Sequence, residues 1–189
     1  PVHGWLRAIG GGLLLAAPVW FSNVLSPNAA WGVEESPDVA AVGGMNAGNE
    51  AVLATQSFLL NHSLDALAEE RPERADLYFV GFAPFGRDDA FRKDVEAAQR
   101  IMDARWGTAD RSVLLLNSPQ TLISAPFATV TNLRETLNEI GSIIDADDDV
   151  VMVYLASRSG PDHRLEAAQP PLSLVELSPA GLKQLLADA

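Results

Sequence analysis

Three short apolar runs, separated by stretches of helical periodicity, constrain this chain more than any other feature. They are Leu77–Phe82, Ser112–Asn117 and Val150–Leu155. Each is nearly uninterrupted and too short for a core helix, so each reads as a strand buried on both faces. Between the first two, Asp88–Arg105 carries Phe91, Val95, Ala98 and Met102 on one face, with Asp88 and Asp89 placed for a helix start. Between the second and third, Thr129–Ile144 carries Val130, Leu133, Leu137, Ile140 and Ile144 on one stripe. After the third, Ser178-Pro179 sets a cap before a first-turn proline and opens a helix through Leu182, Leu185 and Leu186. Strands alternating with amphipathic helices predict an α/β domain with a mostly parallel sheet and right-handed crossovers. Functional groups in such a sheet gather at the carboxyl ends of the strands. Here those ends are Phe82-Ala83, Asn117-Ser118 and Ala156-Ser157-Arg158.

Upstream, Ala51–Glu70 reads as a helix with Leu53, Leu60, Leu64 and Leu67 on its apolar stripe. The charged run Glu69–Arg74 closes it as a solvated turn. Residues 34–50, with their proline and glycines, read as a linker. Ala8–Val33 contains no charged residue, and its most apolar part is about 18 residues long, close to a bilayer crossing. Trp5, Trp20 and Trp31 punctuate it as interfacial anchors do, and Arg7 before it places Pro1 on the cytoplasmic side. A signal-peptide hydrophobic region, with Asn28–Trp31 as cleavage zone, and a buried helix are the alternatives. The expected organisation is a membrane-spanning or signal-like segment over 1–33, a linker over 34–50 and a globular part over 51–189. The start at Pro1 and the end at Ala189, inside a helix, both read as cut.

Charge narrows the partners. The 189 residues hold 25 Asp and Glu against 13 Lys and Arg, a net charge of −12, which repels a phosphate backbone and anionic headgroups. No nucleic-acid partner is expected. There is no cysteine, so these residues supply no disulfide, no thiolate metal site and no thiol nucleophile. Gly10-Gly11-Gly12 follows no strand, and there is no phosphate-binding Gly-Lys-Ser/Thr loop or Gly-x-Ser-x-Gly elbow. His3, His62 and His163 are scattered, and Asp145–Asp149 lacks the glycine and distal glutamate of a calcium loop. Neither a metal nor a cofactor is expected. Asp162-His163 is an acid beside a base, a pairing found more often on surfaces than in catalysis.

The stretch Val153-Tyr154-Leu155-Ala156-Ser157-Arg158-Ser159-Gly160-Pro161-Asp162-His163 resembles the legumain family of cysteine peptidases (asparaginyl endopeptidases and the glycolipid-anchor transamidase), especially its bacterial membrane-attached branch. Asp76–Ala83 resembles the family's first strand and Asp110–Asn117 its second. Pro126–Leu133 resembles a segment of the bacterial branch, and Pro171–Leu186 the stretch before its cysteine strand. The likeness covers Ala51–Ala189. It implies a caspase-like three-layer sandwich, here incomplete at its C-terminal end, and peptide-bond hydrolysis or transfer beside Asn or Asp. In the family, the histidine after one strand serves a cysteine at the end of the next, so imidazole and thiol end side by side.

The departures from that pattern decide the expected activity. Arg158 stands at the family's histidine position, and Ser159-Gly160 reverses the usual order. A guanidinium stays protonated near neutral pH and accepts no proton from a thiol. His163 is the alternative base, and would need a different loop path. The family's specificity pocket uses an arginine after the first strand, which the resemblance carries onto Arg92. The chain is therefore expected to be a catalytically inactive member. It would meet peptide or protein substrates only as an active relative does. A non-catalytic extracytoplasmic binding or scaffold module of the same fold is one alternative, and an unrelated doubly wound domain such as a small-ligand binder is another. The resemblance and the leading segment imply the bacterial inner membrane, with the globular part periplasmic, and an open sheet edge implies self-association.

Overall fold

A computed structural model describes residues 44–189. The expectations for 1–33, the first part of the 34–50 linker and His3 lie outside the described residues. The elements, in chain order, are α1 (Glu50–Asp65), β1 (Leu77–Ala83), α2 (Asp89–Trp106), β2 (Ser112–Leu116), α3 (Val130–Ile143), β3 (Val150–Leu155) and α4 (Pro179–Asp188). The three strands form a parallel sheet in the order β2-β1-β3. The domain is thus α/β with an all-parallel open sheet.

The helix starts follow from their caps. Asp88, Thr129 and Ser178 have extended backbones, and their side chains accept from Ala90, Asn132 and Gly181 N–H respectively. Gly107 ends α2 in the left-handed conformation, at φ 72°. Strand alternation then sorts the core onto two faces. Tyr78, Val80 and Phe82 of β1, with Val113 and Leu115 of β2, meet Leu60 of α1, Leu133, Leu137 and Ile140 of α3, and Leu185 of α4. On the opposite face Ala83 and Leu116 meet Val95 of α2, joined by Phe91 and Leu114. Gly81 lets α2 lie close to the sheet: a Cβ there would come within 2.4 Å of Val95 Cγ1 and 2.6 Å of Leu114 Cδ2.

Three sequence expectations are corrected. The first helix stops at Asp65, not Glu70, because tertiary bonds claim the chain beyond it: Ala68 N–H donates to Asp110 O at 2.8 Å and Glu70 N–H to Ile143 O at 3.4 Å. Leu53 is exposed and Val52 buried. At its N-terminal end α1 packs on the segment around Leu122 and Phe127 instead of the sheet, which turns its inward direction by one residue. Gln56 fixes that packing, donating to Leu122 O at 2.9 Å and accepting from Phe127 N–H at 2.8 Å. The third correction concerns β3. Its side chains are not buried on both faces, since Val150 is 56% and Met152 38% exposed. β3 pairs only with β1 among the described residues, whereas the outer edge of β2 is partly covered by Leu116 N–H donating to Pro126 O at 2.9 Å.

Polar side chains tie the amino ends of the strands together. Asp76, just before β1, has a fully buried side chain that accepts from the Arg71 backbone N–H at 2.9 Å and from Arg71 Nε at 2.8 Å. Arg111, also buried, stands 3.5 Å away across the carboxylate and over the Tyr78 ring. Hydrogen bonds from Arg71 hold the Asp76 carboxyl below its ordinary pKa against the opposing effect of burial. The Glu69–Arg74 run is thus a turn, but not a wholly solvated one. Asp149 of the acidic loop likewise has a structural task, accepting from Asp76 N–H at 2.6 Å and Asp145 N–H at 3.1 Å.

Candidate functional site

Three loops meet at the carboxyl ends of the strands: Pro84-Phe85-Gly86 after β1, Asn117-Ser118 after β2 and Ala156-Ser157-Arg158 after β3. A strap formed by residues 165–172 crosses them. Ala168 pairs with Phe85 as a short parallel bridge, donating to Pro84 O at 2.8 Å and accepting from Gly86 N–H at 2.7 Å. Asn117, 1% exposed, donates to Pro84 O at 2.8 Å and Ala128 O at 3.2 Å and accepts from Ala128 N–H at 3.0 Å. One amide therefore locks three segments. Gln169, also buried, donates to Ser118 O at 3.3 Å, while its Oε1 has no hydrogen-bond partner among the described residues. Gly86 is required by close approach: a Cβ would fall 2.3 Å from Gln169 Oε1, 2.8 Å from Ala168 O and 2.9 Å from Asn117 O.

Arg158 follows β3 directly. Its side chain is 52% exposed and its guanidinium lies 5.3 Å from the centre of the Phe85 ring. The Phe85 ring itself stands edge-on to Phe91 at 6.0 Å. The Arg158 Nε reaches Glu166 Oε2 only at 4.0 Å, a loose pair in solvent. The backbone beneath is firmer: Glu166 N–H donates to Arg158 O at 2.9 Å and Ser157 Oγ to Glu166 O at 2.6 Å. An aromatic face thus carries a cation at the junction of the β1 and β3 ends.

His163 is not part of this junction. It sits exposed at a turn, in the left-handed conformation at φ 60°, with its N–H donating to Gly160 O at 3.0 Å. The excursion is pinched at its base by the Ser159–Leu165 bridge. Asp162 turns to Arg164, 3.1 Å from its Nε. The Asp162-His163 neighbours in sequence therefore form no observed hydrogen-bonded acid–base pair.

Arg92 lies in the first turn of α2 with its guanidinium occupied on both sides. It donates to Asp89 at 2.6 and 2.8 Å and to Glu96 at 2.7 and 2.8 Å. These bonds raise the Arg92 pKa and hold Asp89 below its ordinary value. Such saturation leaves the fork no ready capacity for an added carboxylate without displacing Asp89 or Glu96.

The structure thus puts Arg158 at the strand ends and keeps His163 and Arg92 in other local settings. Sequence reasoning placed Asn117 at a strand end but missed its clamping role, and it missed Gln169 altogether. Asn117 had a visible signal, a single amide closing an apolar run; Gln169 had none in its neighbourhood. A shallow groove of about 310 Å³ lies elsewhere, between Glu96 and Gln99 of α2, Leu114 and Leu116 of β2, and the Thr121–Pro126 segment. None of Arg92, Arg158 or His163 lines it. Among the described residues no group of three or more potential ligands is placed to hold a metal ion, and no helix is long and apolar enough to cross a membrane.

No family model, no curated protein and no solved structure matches this chain.

Proposed function

We propose that residues 51–189 are the N-terminal part of a legumain-like domain of caspase-like architecture, and that these residues do not catalyse peptide-bond cleavage. The observation that carries the reading is the Arg158 guanidinium after β3, seated over Phe85 where the resemblance calls for an imidazole. A parallel sheet in the order β2-β1-β3, with helices on both faces, is compatible with that architecture. Catalysis by the family route needs a thiolate and a group that takes its proton. The 189 residues contain no cysteine, and a guanidinium is not a base near neutral pH. What Arg158 offers instead is a fixed positive charge that favours an anionic group on a peptide. With the leading apolar segment, the reading places the globular part on the periplasmic face of a bacterial inner membrane.

The test has two arms. Purified protein incubated with Asn- and Asp-containing peptides is expected to leave them intact; steady hydrolysis overturns the inactivity. The coding sequence downstream of Ala189 tests the family: an apolar strand ending in Ser-Ala-Cys supports it, and its absence overturns it.

A second reading, a binding or scaffold module that uses the fold without its chemistry, is favoured by the strap. Residues 165–172 fill the space over the strand ends and bond to them through Ala168 and Gln169. A partner retained by the wild-type chain and lost on Arg158→Ala supports this reading.

A further inference from the structure

We infer that residues 167–172 of the strap are a displaceable cover over the strand ends, latched in place by residues 45–48, which lead into α1. The inference is independent of the legumain reading, because it concerns access to the strand ends whatever they bind.

The two ends of the strap are anchored and its middle is held lightly. Leu165 joins the apolar cluster of the sheet and exchanges two backbone hydrogen bonds with Leu177, at 2.9 and 3.2 Å. Glu166 is bonded to Arg158 O and to Ser157 Oγ, which fixes the start of the strap to the end of β3. At the other end, Leu172 packs against a second cluster whose buried members are Ala47, Val52, Leu122 and Phe127. Between these anchors, residues 167–171 give no side chain to any apolar cluster among the described residues. Their hold on the strand ends is the pair of backbone bonds from Ala168 to the loop after β1 and the 3.3 Å bond from Gln169 to Ser118 O. Gln169 Oε1 is buried there without a hydrogen-bond partner among the described residues. Segments with few buried apolar contacts are the ones that open locally in a native protein. The position of residues 167–171 therefore depends on the Leu172 anchor.

That anchor belongs largely to the chain entering α1. Ala47 and Val52, two of the buried members of the cluster, and Met45 at its border come from α1 and its entry. Ala47 is 1% exposed, although it stands in a stretch composed like a linker. Asn46 shapes the entry: its carbonyl accepts from Asn49 N–H at 3.0 Å and its side chain from Gly48 N–H at 2.8 Å. Gly48 lies directly against the strap, where a Cβ would fall 2.7 Å from Pro171 Cγ. A proline ring cannot swing aside, so this fit requires that position 48 carry no side chain. The turn closed by Leu172 N–H donating to Gln169 O at 2.9 Å is thus seated on residues 45–48. Drawing those residues away removes the seat. Residues 167–172 then lift and bare Pro84 O, the Gly86 N–H and Ser118 O beside the Arg158–Phe85 pair. By linkage, a ligand that takes the place of the strap at the strand ends loosens residues 45–48 in turn.

The experiment uses the full 189-residue chain in non-ionic detergent, so that the uncharged run over residues 8–33 does not drive association. The chain has no cysteine, so one introduced thiol reports one position. Ser118→Cys places it beneath Gln169, at a site 2% exposed, and Thr136→Cys places it in the core on α3, at a site 0% exposed. Adding Gly48→Ala is expected to speed labelling of Ser118→Cys by a thiol reagent about tenfold or more, and that of Thr136→Cys by less than about twofold. Leu172→Ala, which cuts the same anchor from the side of the strap, is expected to give the same selective rise. The two substitutions together are expected to add little to either alone, because both act on one contact. Amide exchange in Gly48→Ala gives a second measure: Gly86 and Ala168 are expected to lose protection while Phe79, paired to Arg111 O, keeps it. Unchanged labelling at position 118 in either variant overturns the inference. So does an equal rise at positions 118 and 136, which is a general loosening of the fold and not the release of a cover.

Discussion

Replacing Asp76 with Asn tests what holds the amino ends of the strands together. The substitution keeps size and removes charge. In the wild type the carboxylate has no exposed surface, accepts from the Arg71 backbone and side chain, and faces Arg111 at 3.5 Å. Removing one member of a buried ion pair costs about 3–5 kcal/mol, because the remaining charge is left without compensation. The two arginines differ in how they tolerate that. Arg71 is 43% exposed and rehydrates, but the Arg111 side chain is 5% exposed and, among the described residues, keeps only Asp110 at 3.0 Å as an ion-pair partner. The cost therefore belongs at the lower end, about 3 kcal/mol, which for a domain of this size lowers Tm by roughly 6–12 °C. Urea unfolding followed by circular dichroism measures it directly. The pH dependence supplies an independent check. The folded-state pKa of Asp76 is depressed, so its contribution is fully present above the ordinary carboxylate range, near 4, and is lost as pH falls through the folded value. Asp76→Asn is thus expected to lose less stability on acidification than wild type. A loss below about 1 kcal/mol at pH 7, or an unchanged acid limb, refutes the assignment of this cluster as a fold determinant.

Other substitutions probe separate parts of the fold. Gly86→Ala forces a methyl group against Ala168 O and Asn117 O and is expected to destabilise by about 1–3 kcal/mol, read as a shifted urea midpoint. Phe82→Ala, in the central strand and 1% exposed, is expected to cost about 3–5 kcal/mol by the same measurement. Ser178→Ala removes the acceptor for Gly181 N–H and is expected to cost about 1 kcal/mol, with amide exchange rising first in α4.

The sequence was most legible where several local signals agreed. β1 was visible as an apolar run because a central parallel strand needs both of its faces covered, and β2 and β3 from their apolar composition alone. Ser178 marked its helix start as a cap, and the helical stretches read from Asp88 and Thr129 begin one residue before the observed helices. The reading failed where partners distant in sequence decide the outcome. Asp110 and Ile143 draw residues 68 and 70 out of the first helix, and Leu122 and Phe127 turn the helix so that Val52 replaces Leu53 inside. No local period records those contacts. The exposure of Val150 and Met152 was hidden for a related reason: composition says that a strand is apolar, not whether something lies beyond it. Of the candidate site, the position of Arg158 at a strand end was readable from the end of the Val150–Leu155 run. Its seat on Phe85 was not, nor was the saturation of Arg92 by Asp89 and Glu96, because both depend on rotamers. The buried amides Asn117 and Gln169 had to be found by asking where the loop carbonyls of Pro84, Ser118 and Ala128 find their donors.

The decisive assay offers the purified chain a fluorogenic Asn-peptide across pH 4 to 8, beside His163→Ala and Arg158→Ala variants. With a guanidinium after β3 and no imidazole beside it among the described residues, no product is expected from any of the three. Turnover by the wild type that disappears in His163→Ala would contradict the account, making the histidine on the exposed turn the working base.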